Sequence, residues 1–171
     1  IMNQQLFKKT DYNQFLESKL TKIKPVGFNS DKLSNKLFDY KEYVVRTALQ
    51  KGKFAIFANT GLGKSIMQLE WAKQVAKHTQ KPVLILAPLA VAKQTAKQES
   101  VKFGYECNYL QTMDDCNDGI NITNYEKLHL IDTSVFSGVV LDESSILKSF
   151  TSKTRDLIIE SFAITDYKLA C

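Results

Sequence analysis

The chain has 171 residues, 44% of them hydrophobic and 24% charged, with a formal net charge of +5. That length suffices for one domain with a sizeable core, and the composition is that of an ordinary soluble globular protein. No run approaches the roughly 18 apolar residues of a membrane helix, and no secretory leader is recognisable at the start, so we expect a cytoplasmic protein without a membrane partner. The positive charge permits a polyanion partner but does not require one.

The first 38 residues are predicted to form an extension. They are polar and lysine-rich, with a short amphipathic piece around Phe15 and Leu20 that Pro25 and Gly27 interrupt. We therefore predict an N-terminal helix and a loop over residues 1–38, ahead of a second unit over residues 39–171.

That second unit opens with a predicted helix, Asp39–Lys51. Asp39 can cap its start, and Gly52 can end it. Tyr40, Val44 and Ala48 recur at helical spacing, which predicts that this face packs against the rest of the domain.

A glycine-rich loop follows, between a predicted strand, Phe54–Ala58, and a predicted helix over residues 65–78. Strand, glycine loop, lysine, hydroxyl and helix are the build of a phosphate-binding loop, whose backbone N–H groups surround phosphate oxygens. In such a loop Lys64 reaches the β- and γ-phosphates and Ser65 holds Mg²⁺. The predicted nucleotide-binding residues here are Asn59, Thr60, Gly61, Leu62, Gly63, Lys64 and Ser65. The alternative is a chance Gly-x-Gly-Lys-Ser in a surface turn, because Ala58 stands where the general motif has glycine.

The rest of the chain alternates predicted strands with predicted helices. Helices are predicted over residues 89–100 and from about Thr151 to Phe162. The strands show little polar alternation, as expected of strands that are buried on both faces of a parallel sheet. They are Val83–Ala87, Tyr105–Leu110, Ile120–Thr123, Val139–Leu141 and Tyr167–Ala170. The sequence thus predicts a doubly wound, mostly parallel α/β fold flanked by helices.

A second chemical cluster lies at the end of one of these strands, where Asp142 and Glu143 are adjacent. The carboxyl ends of parallel strands form the ligand edge of such a sheet. Asp142 can bind Mg²⁺ there, and Glu143 can orient and polarise the water that attacks the γ-phosphorus. The alternative is that the two acids only cap the following turn.

With both clusters placed, nearly the whole chain resembles the first RecA-like motor domain of a superfamily 2 helicase or translocase. It is nearest to the phage and bacterial DEAD/DEAH-like enzymes related to the Swi/Snf group. Residues 58–65 match motif I, in which alanine replaces the first glycine, and residues 139–145 match motif II in its Asp-Glu-Ser-Ser form. Residues 87–94 resemble motif Ia, residues 122–126 resemble motif Ib, and residues 37–40 resemble the segment that contacts adenine.

The resemblance implies a P-loop protein that binds and hydrolyses ATP with Mg²⁺. It implies Lys64, Asp142 and Glu143 as catalytic residues, Ser65 and Asp142 as metal ligands, and Phe38 and the residue at 41 as nucleotide contacts. The nucleic-acid contacts that it implies, with DNA favoured, are Pro88, Lys93, Gln94, Thr123 and Asn124. Lys41 stands where the family usually has the glutamine that reads adenine, and an ammonium group lacks the paired donor and acceptor of an amide. Adenine selectivity is therefore open.

The family's next motif, Thr-Ala-Thr-Pro, would follow Cys171, and a second RecA-like domain supplies the catalytic arginines. We therefore interpret the chain as the first half of a motor and expect the isolated chain to hydrolyse ATP weakly or not at all. Arg46 and Arg155 are predicted on helices away from the phosphates. Two other functions stay open: a non-catalytic nucleotide-binding or interaction module, and the motor subunit of a restriction system. We expect Trp71 and Tyr125 to pack in the core instead of stacking on a base.

Overall fold

One six-stranded parallel sheet organises the protein, for which a computed structural model describes residues 26–59, 61–145 and 152–171. The strand order is β1-β6-β5-β2-β4-β3. The strands are β1 Lys53–Ala55, β2 Val83–Ala87, β3 Cys107–Tyr109, β4 Ile120–Asn124, β5 Gly138–Leu141 and β6 Tyr167–Ala170. Every pairing between neighbours is parallel, so the predicted doubly wound α/β fold is confirmed.

The helical segments connect these strands in chain order. They are α1 Asp39–Lys51, α2 Lys64–Thr79, α3 Leu89–Gln94, α4 Ser100–Phe103 and α5 Ser152–Ser161. Three short 3-10 segments, Met113–Asp115, Tyr125–Leu130 and Thr133–Val135, lie in the connections on either side of β4. The predicted N-terminal helix lies outside the described residues.

The central strand β2 shows why the sheet needs a layer on each face, because all five of its residues are buried. Ile85 belongs to a core that includes Trp71 of α2. Leu84, which points the other way, belongs to a second core that includes Ile158 of α5. The two cores lie on opposite faces of the strand, as successive side chains of a strand do.

Helix α1 has the predicted bounds, Asp39–Lys51, and the predicted end, but a different N-cap. The Gly52 N–H donates to the Ala48 carbonyl at a φ of 74°, which glycine adopts without strain. Its N-cap is Phe38, without a side-chain capping bond, so the prediction that Asp39 caps the helix is wrong: Asp39 is the first helical residue. The buried face comprises Val45, Ala48 and Leu49. Tyr40 was predicted on that face, yet it is half exposed because its hydroxyl bonds elsewhere.

The predicted boundaries of a strand and a helix also differ from the structure. Strand β1 stops at Ala55, and after one more bond, from Ile56 N–H to the Ala170 carbonyl, the chain leaves the sheet with Phe57 almost fully exposed. The helix predicted over residues 89–100 continues to Phe103 but contains a π turn, Thr95–Glu99, between α3 and α4. Such turns are frequent at functional sites.

The segment before α1 packs onto the domain. The Phe28 ring stacks on His78 with 3.8 Å between centroids, and Leu33 and Leu37 are buried. Farther inside, the fully buried Glu70 carboxylate accepts hydrogen bonds from the Ser34 N–H, Gln74 and the Tyr105 hydroxyl. These donors satisfy a buried charge that would otherwise be costly.

Trp71 is fully buried, which confirms it as a core residue. Among the described residues, no helix combines the length and the apolar character that a bilayer crossing requires.

Candidate nucleotide site

The glycine loop leaves the sheet after β1 and enters α2. Gly61 and Gly63 have φ values of 85° and 76°, in the left-handed region that glycine tolerates, and Gly63 is the N-cap of α2. Inside the loop the Leu62 N–H donates to the Asn59 carbonyl over 3.3 Å. The open backbone N–H groups of the first turn of a 16-residue helix thus follow the loop directly, which favours an anion at this end. Thr60 lies outside the described residues.

Lys64 turns back across this loop. Its Nζ donates to the Ala58 carbonyl over 2.9 Å, which joins the two ends of the glycine stretch. A neutral carbonyl is a weaker partner for an ammonium group than an anion is. A phosphate oxygen can therefore replace the Ala58 carbonyl as the partner of the Lys64 ammonium group. Ser65, half-buried, occupies the first turn of α2 beside it.

Asp142 meets α2 directly after β5. It is 9% exposed, its N–H continues the ladder to the Leu86 carbonyl, and its Oδ1 accepts a 2.5 Å hydrogen bond from Gln68 Nε2. Gln68 lies about one helical turn after Lys64, so the same helix presents both groups. The predicted loop and the predicted acid therefore lie at one site.

The charge state of Asp142 depends on these neighbours. Burial raises the pKa of its carboxyl above the ordinary value, and the charge of Glu143 adds to the rise. The hydrogen bond from Gln68, the Glu143 backbone N–H and the charge of Lys64 lower that pKa. A carboxylate that is buried and only partly compensated is a good partner for a divalent cation, because the cation restores what burial removed.

Glu143 stands in a strained turn at the edge of the sheet. It is exposed, and its φ is 51°, in the left-handed region that costs a side chain about 1–2 kcal/mol. Non-glycine residues in this region cluster at functional sites.

The end of β6 holds this turn on both sides. The Ser144 N–H donates to the Cys171 carbonyl over 2.6 Å, and the Cys171 N–H donates to the Leu141 carbonyl over 2.9 Å. Beneath the turn the Tyr125 hydroxyl donates to the Asp142 carbonyl over 2.7 Å, and Tyr125 is buried, which confirms it as a core residue. Burial raises the pKa of the Cys171 thiol to about 12, so the thiol stays neutral beside the acids.

Sequence reasoning missed the contacts that Gln68 and Cys171 make at this site, and the hydrogen bond of the Tyr125 hydroxyl to Asp142. Only Gln68 carried a signal, since it follows Lys64 at the spacing that shares a helix face.

The start of α1 lies against the loop. The Tyr40 hydroxyl donates to the Leu62 carbonyl over 2.8 Å. The Lys41 Nζ lies over the Phe38 ring at 5.4 Å and the Tyr40 ring at 5.7 Å. That ammonium also borders Gly63: a Cβ built on Gly63 would come within 2.6 Å of Lys41 Nζ. Phe38 is 73% exposed, which leaves its ring accessible beside the loop.

The residues predicted to contact nucleic acid lie beyond β2 and β4 at the same edge of the sheet. Pro88 is the N-cap of α3, and Lys93 and Gln94 are exposed on that helix. Thr123 and Asn124 pair in register with Leu86 and Ala87, at the carboxyl end of β4. Both are buried, whereas Lys93 and Gln94 are exposed.

The two arginines have other environments. On α1, Arg46 bonds to Glu42 and to the carbonyl of Ser30, which precedes the helix, and Arg155 is half exposed on α5. Among the described residues, neither bonds to the glycine loop or to the acidic turn.

No protein-family model and no curated protein matches the chain. Among solved structures, the UvsW helicase of bacteriophage T4 matches with a TM-score of 0.67 and 16% identity, over 98% of this chain and 61% of that one. The SWI2/SNF2 ATPase core of Sulfolobus solfataricus, solved with double-stranded DNA, matches with a TM-score of 0.64 and 19% identity, over 81% of this chain and 32% of that one. A nuclease-deletion mutant of the Type ISP restriction-modification enzyme LlaGI, in complex with a DNA substrate mimic, matches with a TM-score of 0.52 and 14% identity, over 79% of this chain and 17% of that one.

These similarities show that the chain has the RecA-like fold seen in P-loop helicase domains. The chain spans about three fifths of the UvsW structure that it matches and less of the other two.

Proposed function

We propose that the chain is the ATP-binding motor domain of an ATP-dependent helicase or translocase, with DNA as the favoured track. The observation that carries the proposal is the Gln68–Asp142 hydrogen bond, because it brings the acid after β5 to the helix that begins with Lys64. A glycine loop alone is a common feature. A loop lysine and a buried acid at one sheet edge form the two halves of a nucleoside triphosphate site.

Each side chain has a role in this proposal that follows from its chemistry. The loop N–H groups and Lys64 bind the phosphates, and Lys64 exchanges the Ala58 carbonyl for a phosphate oxygen. Glu143 is exposed at the edge and can orient a water and accept its proton. Phe38 offers an exposed ring to the base.

The donor set fits Mg²⁺, which prefers oxygen ligands. Ser65 and Asp142 are the residues that would hold the ion, and the raised pKa of Asp142 supports this because a buried carboxylate lacks a full counter-charge. When bound, Mg²⁺ would neutralise charge on the phosphates.

The proposal has a direct test. The proposal includes a longer protein in which a second RecA-like domain follows the chain. ATP hydrolysis by the chain, and by that longer protein, is measured with and without single-stranded DNA, duplex DNA and RNA. We expect slow turnover by the chain and faster, nucleic-acid-stimulated turnover by the longer protein, since an arginine supplied from a second domain contributes a factor of about 10³–10⁵. The motor assignment fails if no nucleic acid stimulates the longer protein.

A non-catalytic nucleotide-binding module is the second candidate. The positions of the two arginines favour it, because neither bonds to the site within the described part of the chain. Arg46 bonds to Glu42 and Ser30, and Arg155 lies near Asp156. The two candidates separate in a single experiment: turnover by the wild type that disappears in Glu143→Gln excludes the module, whereas binding without any turnover in the longer protein supports it.

A further inference from the structure

We infer that Lys41 is a second phosphate-binding cation of this site, so that the chain recognises its nucleotide through the triphosphate more than through the base. The inference rests on the proposed nucleotide function and adds a residue and a selectivity to it.

The position of the ammonium group is the first argument. Lys41 Nζ and Cε lie 2.6 and 2.8 Å from where a Cβ on Gly63 would be. Gly63 is the N-cap of α2, the residue from which the helix presents its open N–H groups. Lys64 Nζ meanwhile bonds to Ala58 at the other end of the loop. Two ammonium groups therefore bracket the glycine stretch, one at each end.

The partners of Lys41 are the second argument. In the described part of the chain its ammonium group lies over the faces of Phe38 and Tyr40 and forms no ion pair with a carboxylate. An aromatic face attracts a cation without neutralising it or occupying its N–H donors. The three donors of the ammonium group are thus available for an anion.

The structure also places the start of α1 beside the loop. The Tyr40 hydroxyl bonds to the Leu62 carbonyl, which holds the start of α1 against the loop. A Cβ on Gly63 would meet the flexible end of the Lys41 side chain, so glycine leaves that end its space beside the loop.

A distinctive selectivity follows. An ammonium group carries donors only, and here it lies at the phosphate end of the site, so it cannot distinguish one base edge from another. We expect the four ribonucleoside triphosphates to bind within about threefold of one another, and inorganic tripolyphosphate, which has no base, to bind measurably. The loss of one charge-assisted hydrogen bond corresponds to about 10- to 100-fold in affinity.

The test is calorimetric titration of Mg²⁺–ATP, Mg²⁺–tripolyphosphate and adenosine into four proteins: wild type, Lys41→Met, Lys41→Arg and Lys51→Met. Lys51 is an exposed lysine in the last turn of the same helix, so Lys51→Met is the matched control. We expect Lys41→Met to weaken ATP and tripolyphosphate by the same factor, at least about tenfold, while Lys41→Arg and Lys51→Met stay near wild type. Lys41→Ala, which removes the ammonium group and keeps a high helix propensity, replaces the methionine variant if thermal melting shows that the latter is unfolded.

The outcomes separate this inference from the function beneath it. If the wild type binds neither ATP nor tripolyphosphate, the nucleotide function fails and the role of Lys41 fails with it. If the wild type binds ATP, but Lys41→Met weakens neither ligand or weakens ATP alone, the nucleotide function stands and the phosphate role of Lys41 is overturned.

Discussion

Gln68 Nε2 donates a 2.5 Å hydrogen bond to Asp142 Oδ1, and both side chains are buried. This contact joins the helix that follows the glycine loop to the acid that follows β5. It also supplies a donor to a carboxylate that has lost most of its water.

Gln68→Leu is therefore expected to lower the free energy of unfolding by about 1–3 kcal/mol at pH 7, the cost of leaving a buried acceptor unpaired. Loss of the Gln68 donor raises the pKa of Asp142 further, so the deficit shrinks as the pH falls and the carboxyl takes up a proton. Urea denaturation at pH 7 and pH 5 measures both effects, with the exposed Gln98→Leu as control. A deficit that is equal at the two pH values contradicts the account.

Asp142→Asn is expected to change how stability depends on pH. The pKa of Asp142 is raised in the folded protein from an ordinary 3.8, so above about pH 4 the folded chain binds a proton that the unfolded chain has released. The free energy of unfolding therefore falls as the pH rises through this window, and the asparagine variant removes that fall.

The measurement for Asp142→Asn is a series of urea titrations from pH 4 to pH 8. The variant should be the more stable protein at pH 7 without nucleotide. Asp132→Asn is the control of opposite sign, because hydrogen bonds from Ser134 lower the pKa of Asp132. An unchanged slope in Asp142→Asn means that Asp142 does not carry the raised pKa.

Lys64→Ala is expected to weaken the affinity for ATP by at least about 100-fold without unfolding the domain. In the described part of the chain the ammonium group hydrogen-bonds to the Ala58 carbonyl and forms no ion pair, so its loss removes little native structure. Calorimetry measures the binding and thermal melting measures the fold. The exposed Lys77→Ala on the same helix should bind normally. Retained binding in Lys64→Ala refutes the site.

Glu143→Gln is expected to keep ATP binding and to lower single-turnover hydrolysis by about 10²–10⁴-fold, the usual contribution of a positioned base. An amide fills the same space but cannot take up the proton. Wild-type turnover in this variant shows that another group activates the water.

Glu143→Gly is expected to stabilise the domain relative to Glu143→Ala by about 1 kcal/mol, because only glycine adopts a φ of 51° without strain. Both variants lack the carboxylate, so the difference between their stabilities measures the backbone strain alone. Equal melting temperatures mean that the turn relaxes when the side chain is shortened.

Much of the architecture follows from local sequence. The fully buried strand β2 carries an unbroken apolar run that predicts it. The residue types of Gly63, Lys64 and Asp142 suffice to predict them as site residues. Local sequence does not encode which helix face meets which strand. The Gln68–Asp142 contact joins residues 74 positions apart, so only the folded structure reveals it.

Other differences have the same origin. Tyr40 fits the apolar face of α1 by spacing, but its hydroxyl finds the Leu62 carbonyl in the folded chain. The Lys41 ammonium group carries donors only, so its residue type already indicates that it does not recognise a base edge. Its closeness to Gly63 becomes visible only once α1 is placed against the loop. Thr123 reads as a polar residue at a strand end, yet the layers around β4 bury it completely.

The two hydrogen bonds between Cys171 and the acidic turn have a mechanical consequence. Because Cys171 bonds to Leu141 on one side and to Ser144 on the other, the turn that carries Glu143 cannot shift without pulling on the end of β6. Strand β6 pairs with both β1 and β5, so it lies between the acidic turn and the strand that precedes the glycine loop. Backbone hydrogen bonds thus join the turn that carries Glu143 to that strand across the sheet.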